Sequence, residues 1–167
     1  PVGLGDAGTL AVHRSDPGLM LGYYGMAEET AARFAGDWFL TGDQVSEAAD
    51  GALRYLGRGD DMMNPGGFRV SPLEVEAVLS RTAGVQECAV VEVEVAPGNR
   101  IIACLYTAAT EISEAVLQAH AMANLARYKQ PRGYIRLDAL PRNANNKLNR
   151  SELRLIAAQH LCPQEGP

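Results

Sequence analysis

Hydrophobic and polar positions follow different patterns in the first third of the chain and in the remainder. In the first third, short apolar stretches lie between frequent glycines, which predicts β-strands at 9–14 and on both sides of the turn Asp50-Gly51. A short helix is predicted at 28–34, where the β pattern is interrupted. These features indicate a β-rich segment that is too small to be stable by itself.

Three strands are predicted in the remainder of the chain. Between 85 and 95 apolar and polar residues alternate, which indicates a half-buried strand whose inner side carries Val85, Ala89, Val91, Val93 and Val95. A turn centred on Pro97-Gly98 leads into 100–106, which is almost wholly apolar, as expected of a central strand. Residues 133–140 form the third predicted strand.

Three helices are predicted around these strands. The first begins at Ser71, which can cap it in a capping box with Glu74, and Gly84 ends it. The second spans about 113–127, and the third begins after the capping residue Asn149. The residues expected to face the core are Val75, Val78, Leu79, Val116, Leu117, His120, Ala121, Asn124, Leu125, Leu153, Ile156 and Ala157.

These elements predict an α+β fold with a boundary near residue 57. Residues 58–167 would form a compact domain made of a β-hairpin around Pro65-Gly66-Gly67, a three-stranded sheet and helices. Because the chain opens with Pro1 rather than methionine, we expect it to be a fragment of a longer protein.

Composition narrows the classes of partner. The chain has 47% hydrophobic and 21% charged residues and a net charge of −5, which is typical of a globular protein and disfavours nucleic acid or anionic lipid as partner. No apolar run approaches the roughly 18 residues of a membrane span, and no signal peptide is apparent. We expect a cytoplasmic location.

Cysteine and histidine positions do not predict a metal site or a disulfide. The three cysteines lie far apart without a Cys-x-x-Cys pair, and the three histidines have no ligand spacing. Cys88 and Cys104 lie in apolar strands, where small buried thiols are the expected state. His120 and His160 are expected to pack against the core from their helices.

Three motifs occur in order along the chain: WFLTGD at 38–43, GRGDDMMNPGGFRVSPLEVE at 57–76 and LPRNANNKLNR at 140–150. Together they resemble segments of the adenylate-forming enzymes, which include acyl- and aryl-CoA synthetases, peptide-synthetase adenylation domains and luciferases. Each motif alone is weak, but the three with this order and spacing are specific. The resemblance implies that 1–57 is the terminal β-rich part of the large ATP- and acyl-binding domain, and that 58–167 is its mobile C-terminal lid domain.

The resemblance also implies a reaction. A fatty or aryl carboxylic acid attacks the α-phosphate of ATP to give acyl-adenylate and pyrophosphate, and CoA then displaces AMP. ATP, CoA and Mg²⁺ would be bound mainly by the N-terminal domain that is absent from this chain. That domain is therefore an implied partner, and this chain alone should not complete the reaction.

Lys147 is implied to be the catalytic lysine of the adenylation step. The chain has only two lysines, and a compact ammonium suits the meeting of carboxylate and phosphate oxygens better than the planar guanidinium of arginine. An ordinary surface lysine in a turn is the alternative. The family has glycine before this lysine, whereas Asn146 stands here; asparagine tolerates the left-handed conformation, so we expect the turn to survive.

The first and second motifs supply the other candidate residues. Asp43 is implied to receive the ribose hydroxyls of ATP, or only caps a turn after Gly42. Arg58 is implied to assist at the ribose, with a plain interdomain salt bridge as the alternative. Asp60 aligns with the hinge of the family, or is a solvated turn acid.

The glycine hairpin is the remaining candidate. Gly66 and Gly67 can admit the pantetheine arm of CoA, or can serve only a turn that needs positive φ. Arg69 would meet phosphate. Tyr128, Lys129 and Arg132 form a basic stretch that either contacts nucleotide phosphates or is a solvated face.

Two alternatives to an acyl-CoA synthetase remain open from the sequence. The chain can belong to an adenylation domain that loads a carrier protein, although the residues after the hinge are more typical of acyl- and aryl-CoA synthetases. It can also be a stand-alone binding module that has lost catalysis, for which Asn146 and the missing phosphate loop are the arguments.

Overall fold

The computed structural model describes residues 2–162. The chain divides into two compact units, the first up to Asp60 and the second from Asp61 onward. Helices and sheets occur together as predicted, which confirms the α+β class. The assignment of the two units to parts of two enzyme domains stays a prediction.

The first unit contains strands and one short helix, and the second contains a three-stranded sheet with three helices. In chain order the elements are β1 (Ala7–His13), α1 (Ala27–Ala32), β2 (Phe34–Ala35), β3 (Trp38–Glu47), β4 (Leu53–Arg58), α2 (Pro72–Leu79), β5 (Val85–Ala96), β6 (Asn99–Ala108), α3 (Glu114–Asn124), β7 (Gly133–Arg136) and α4 (Arg150–Leu161).

The first unit is built on β3. This strand pairs antiparallel with β1 on one edge, and with β2 and then β4 on the other. The predicted hairpin at Asp50-Gly51 is confirmed, since β3 and β4 pair across it and Gly51 has φ 81°. Among the hydrophobic residues described in this unit, only Phe39 is buried.

The second unit has three layers. Its sheet has the order β5-β6-β7, with β5 and β6 antiparallel and β6 and β7 parallel. One cluster of buried side chains lies between the sheet and helices α2 and α3, and includes Val75, Ile102 and Leu117. A second cluster, which includes Leu105 and Leu153, lies between the other face and α4. The central position predicted for 100–106 is confirmed.

The prediction for β5 is wrong in two respects. Val85 packs in the cluster of α2 and α3, whereas Ala89, Val91, Val93 and Val95 pack in the opposite cluster. The pairing with β6 shifts by one residue between Val85 and Glu87, and such a bulge reverses which side chains face which side. The strand is also buried on both faces rather than one, because α2 covers Cys88 and Val90 on the face that alternation alone leaves to solvent.

Helix α3 is shorter than predicted. It ends at Asn124 because Leu125 is extended (φ −126°, ψ 142°), and the side-chain amide of Gln130 donates a hydrogen bond of 2.9 Å to the Leu125 carbonyl. Val116 is 49% exposed and Asn124 is exposed, whereas Leu117, Ala121 and Leu125 are buried. The apolar stripe is therefore narrower than predicted.

The ends of α2 and β7 and the position of one histidine also differ from the prediction. Helix α2 stops at Leu79, five residues before Gly84, and β7 ends at Arg136 rather than at 140. His160 is exposed, with Nδ1 2.9 Å from the carbonyl oxygen of Ile156, so it does not pack against the core. His120 is partly buried as predicted, with Nε2 3.1 Å from the carbonyl oxygen of Val78.

Both predicted helix caps are present. Ser71 Oγ accepts a hydrogen bond from Glu74 N–H at 3.4 Å, and Asn149 Oδ1 accepts one from Glu152 N–H at 3.3 Å. Within the described part of the chain, no helix has the length and apolar character needed to cross a bilayer.

Candidate functional site

The residues predicted for the site are divided between the two units. Asp43, Arg58 and Asp60 lie in the first unit. The second unit holds the glycine hairpin with Arg69 and the loop with Lys147. Each group has its own geometry.

In the first unit, Asp43 and Arg58 face each other across the pair formed by β3 and β4. Arg58 Nη1 donates to Asp43 Oδ1 at 3.2 Å and to the Thr41 carbonyl at 3.0 Å, while Arg58 Nε lies 3.6 Å from Asp60 Oδ1. Burial lowers the pKa of Arg58, but the hydrogen bond to Asp43 and the charges of Asp43 and Asp60 outweigh it, so the pKa is raised. Arg58 therefore stays a cation beside two carboxylates.

Gly42 allows this arrangement. Its φ is 82°, and a Cβ at this position would lie 2.9 Å from Arg58 Nη2. A larger residue would therefore push Arg58 away from Asp43. The Asp43 side chain is 30% exposed and uses Oδ1 for Arg58, so its carboxylate keeps acceptor capacity for hydroxyl groups.

In the second unit, the glycine hairpin is closed by one bridge between Met63 and Val70. A turn of 3₁₀-helix at Pro65–Gly67 forms its tip, and Gly66 and Gly67 have φ 59° and 84°. An added Cβ at either glycine would meet no atom within 4 Å. Backbone conformation, rather than crowding inside the chain, therefore requires glycine at both positions.

A groove of about 420 Å³ runs beside this hairpin. The rings of Phe68 and Tyr128 stack with centroids 4.6 Å apart and planes inclined by 26°. The groove is lined by Gly66, Phe68, Tyr128 and the three arginines Arg100, Arg127 and Arg132. Arg100 pairs with Glu92 and Glu94 at 3.7 and 3.2 Å, so the positive charge that the groove offers comes from Arg127 and Arg132. Together with the flat aromatic surface, this charge suits a ligand with a planar base and phosphate groups.

Two cations near the groove differ in their contacts. Arg69 is exposed and forms no ion pair with any residue from 2 to 162. Lys129 forms an ion pair with Glu74, the residue expected to complete the capping box of α2. Of the basic stretch predicted around Tyr128, Arg132 thus lines the groove while Lys129 is held by a carboxylate.

Lys147 lies in a closed loop between β7 and α4. Arg142 and Leu148 form an antiparallel bridge, and Asn149 N–H donates to the Pro141 carbonyl at 2.9 Å. Asn146 has φ 60°, the sole positive φ outside glycine in the described residues, which confirms that asparagine supports the left-handed turn. The Lys147 side chain is exposed, and its ammonium contacts no carboxylate of the described chain.

Sequence reasoning missed the residues that shape this loop. The side-chain oxygen of Asn143 accepts from the N–H groups of Asn145 and Lys147, each at 3.0 Å. Arg142 donates from Nη1 to the Asn146 carbonyl at 3.0 Å and from Nη2 to Glu87 at 2.8 Å. An asparagine at the start of a turn can accept from the backbone N–H two residues on, so the position of Asn143 is a local signal that would have indicated its contact with Asn145.

Sequence reasoning also missed the role of Arg150 at the start of α4. Its guanidinium bonds both oxygens of Glu76, at 2.8 and 3.1 Å, and the Val90 carbonyl at 2.9 Å. Arg150 Nε lies 3.4 Å from Asp61, which also pairs with Arg154 at 3.3 Å. This network fixes the beginning of α4, three residues after Lys147, against α2 and β5.

The described residues do not form a metal site. No group of three histidine, cysteine, aspartate or glutamate side chains among residues 2–162 is placed to hold an ion. The three cysteines are free thiols. The pKa of Cys104 is raised by its hydrogen bond with Cys88 and by burial, which keeps it protonated.

Comparison with known proteins identifies the family. Residues 74–147 match the AMP-binding enzyme C-terminal domain. The chain is 37% identical over 155 residues to the benzoate–CoA ligase of Thauera aromatica, covering 90% of this chain and 29% of that protein. It is 35% identical over 161 residues to a dimodular nonribosomal peptide synthase of Bacillus subtilis, covering 92% of this chain and 7% of that protein.

A solved structure agrees with these relatives. ATP-bound MatB from Rhodopseudomonas palustris matches with a TM-score of 0.84 at 31% identity, covering 96% of this chain and 32% of MatB. The chain thus spans about a third or less of the length of all three proteins. The chain belongs to the AMP-binding, adenylate-forming enzymes and corresponds to the C-terminal portion of such an enzyme.

Proposed function

We propose that the whole protein is an ATP-dependent acid–thiol ligase that forms an acyl-adenylate and transfers its acyl group to CoA. The observation that carries this proposal is the state of Lys147, an exposed ammonium without an ion-pair partner in the described chain, on a loop whose backbone is hydrogen-bonded into one shape. A cation held in this way is ready to bind anions that come from outside the unit.

In the first step a carboxylate attacks the α-phosphate, so negative charge gathers on the oxygens around phosphorus. Lys147 would donate hydrogen bonds to the carboxylate and phosphate oxygens as they approach. A compact cation on a flexible stem stabilises the crowded transition state more than it stabilises the separated reactants. This difference is what lowers the barrier.

Asp43 would bind the ribose of ATP. Its carboxylate has acceptor capacity that Arg58 does not use, and two vicinal hydroxyls supply two donors. Arg58 would act as the residue that fixes the orientation of this carboxylate. Use of ATP is supported by the match to MatB, whose structure was solved with ATP bound.

CoA is the acceptor that the second unit favours. The groove beside Gly66 offers the stacked rings of Phe68 and Tyr128 together with Arg127 and Arg132. These groups suit the adenine and phosphates of CoA, while the glycine hairpin leaves its rim free of side chains for the narrow pantetheine arm. Arg69, exposed at the same hairpin, would contact phosphate.

Asp60 would be the hinge between the two catalytic poses. On its N-terminal side, Arg58 is held in the sheet of the first unit by Asp43. On its C-terminal side, Asp61 is held by Arg150 and Arg154. Gly59 is also held, because its N–H donates to the Gly42 carbonyl at 2.8 Å. Backbone rotation would therefore concentrate at Asp60, between the two anchors.

An aromatic acid is the favoured substrate, because the benzoate–CoA ligase is among the relatives that cover most of this chain. The fatty-acid alternative has no support from the relatives described above. Mg²⁺ would be held by groups outside the described residues.

Loading of a carrier protein is the second candidate function. It is supported by the 35% identity with the dimodular peptide synthase. In that case the groove would receive the pantetheine arm of a carrier, and Arg127 and Arg132 would face the carrier surface rather than nucleotide phosphates.

The full-length enzyme tests these proposals. Pyrophosphate release would be followed over a panel of aromatic and fatty acids, with CoA, with a phosphopantetheinylated carrier protein, or with neither. We expect an aromatic acid to give release that continues through many turnovers only with CoA. Continued release only with the carrier would favour the second function, and no release with any acid would favour the non-catalytic module.

A further inference from the structure

We propose that Asn143 is the positioning residue of Lys147. This inference rests on the proposed function, since it concerns how the chain presents the lysine that assists adenylation. The observation that carries it is that the amide side chain of Asn143, four residues away, binds the backbone of Lys147 directly.

Asn143 holds Lys147 from two sides. Its backbone N–H donates to the Lys147 carbonyl at 2.8 Å, and its side-chain oxygen accepts from the Lys147 N–H at 3.0 Å. The same oxygen accepts from Asn145 N–H, and the Asn143 carbonyl accepts from Asn146 N–H at 2.9 Å. Both backbone polar groups of Lys147 are therefore engaged by one residue.

The other residues of the loop make different contacts and do not hold the N–H of Lys147. Arg142 ties the Asn146 carbonyl to Glu87 on β5, which anchors the loop to the sheet but does not contact Lys147. Asn146 supplies the left-handed turn at φ 60°. Only the side chain of Asn143, among those described, reaches the N–H of Lys147.

The exposure of Asn143 indicates that its side chain positions Lys147 rather than stabilising the fold. Asn143 and Lys147 are both exposed, so water can replace the amide oxygen when the side chain is removed, and folding should be little affected. Without the Asn143 side chain, the Lys147 backbone becomes less ordered and samples more orientations. Fewer of these orientations place the ammonium on the reacting oxygens. A displacement of about 1 Å at a reacting group can reduce the rate by about 10²-fold.

The test uses the full-length enzyme and separates its two half-reactions. Asn143→Ala removes the acceptor oxygen, Asn143→Asp keeps it, and Asn145→Ala is the matched loop control because no hydrogen bond of the Asn145 side chain occurs in the described structure. We expect Asn143→Ala to slow acyl-adenylate formation by about tenfold or more, with KM for ATP and acid little changed. Asn143→Asp should restore most of the rate, and CoA transfer from supplied acyl-adenylate should be unaffected in all three.

A double-mutant cycle with Lys147→Ala distinguishes failure of the positioning role of Asn143 from failure of the proposed function of Lys147. If Asn143 acts through Lys147, Asn143→Ala adds no further loss in the Lys147→Ala background. Additive losses, an equal loss in both half-reactions, or an unchanged rate in Asn143→Ala alone would each overturn the positioning role while leaving Lys147 catalytic. Full activity of Lys147→Ala alone would instead overturn the proposed function of the lysine, and the inference with it.

Discussion

The two units of the chain differ most in what their side chains bury. In the second unit, two clusters of buried residues cover both faces of the sheet, and Leu105, Leu117 and Leu153 are completely inaccessible to solvent. In the first unit, Phe39 at 9% exposure is the one buried hydrophobic residue among those described, while Leu21 and Tyr24 are fully exposed. The first unit has strands and hydrogen bonds but almost no core.

Strand pairing and a buried core are therefore separate features of this chain, since the first unit has the former without the latter. Buried apolar area is the main favourable contribution to folding, so the second unit has what it needs to support its own fold. The described residues of the first unit supply little of that contribution. Lys147 is thus carried by the unit with a core, whereas Asp43 and Arg58 depend on strand pairing and on each other.

The largest expected difference is in amide hydrogen exchange of the intact chain. Amides of β6 between Ile102 and Leu105 should exchange at least about a hundredfold more slowly than paired amides of β1 and β4, because local opening of the first unit exposes little apolar surface. Mass spectrometry of peptic fragments measures this. Equal protection in both units would contradict the comparison.

A matched pair of leucine substitutions gives the next largest effect. Leu105→Ala, at a site with no exposure, should lower the free energy of unfolding of the second unit by about 2–5 kcal/mol. Leu53→Ala, at a site that is 58% exposed, should change stability by less than about 0.5 kcal/mol. Urea unfolding followed by circular dichroism checks both, and similar costs would show that the first unit is better packed than its burial indicates.

Ion pairs should show a smaller version of the same contrast. Glu76→Gln weakens a pair whose two side chains are each 12% exposed, and should cost about 1–3 kcal/mol because Arg150 loses a charged partner. Asp37→Asn removes an exposed pair with Arg14 in the first unit and should cost about 0–1 kcal/mol. Thermal unfolding in low and high salt measures both, since only the exposed pair should be screened. A larger loss of stability from Asp37→Asn than from Glu76→Gln would contradict the expectation that the less exposed pair contributes more.

The smallest effect concerns pH at the hairpin between β5 and β6. The hydrogen bond from Gly98 N–H, together with Arg100, lowers the pKa of Glu94 below its ordinary value of 4.5. A lowered folded-state pKa gives stability that is present above the unfolded value and is lost as pH falls through the folded one. Glu94→Gln should therefore lower the free energy of unfolding slightly at pH 7, and its difference from the unsubstituted chain should shrink as the pH falls below about 4.5. If the free energy of unfolding depends on pH in the same way in Glu94→Gln and in the unsubstituted chain, Glu94 makes no such contribution.

Much of the second unit could be predicted from sequence because its strands and helices have strong local signals. The caps at Ser71 and Asn149 and the left-handed Asn146 depend on neighbours only a few residues away. Val85 could not be placed correctly, because a one-residue bulge reverses the inward side and leaves no trace in the alternation that precedes it.

The site was predictable to a lesser degree. The motifs drew attention to Lys147, Asp43 and Arg58, and the last two do pair. The groove was not predictable, since Phe68, Arg100 and Tyr128 come from distant segments that meet only when α2, β6 and the turn after α3 pack together. Arg150 was grouped with the catalytic segment, but its contacts with Glu76 and Asp61 are those of a buried anchor.

Acyl-adenylate formation by the full-length enzyme carrying Lys147→Ala tests the central claim most directly. The matched control is Lys129→Ala, because Lys129 is the other lysine of the chain and already pairs with Glu74. The account predicts that Lys147→Ala slows adenylate formation by about 100-fold or more, while Lys129→Ala keeps a rate close to that of the unsubstituted enzyme. An undiminished rate in Lys147→Ala would contradict it.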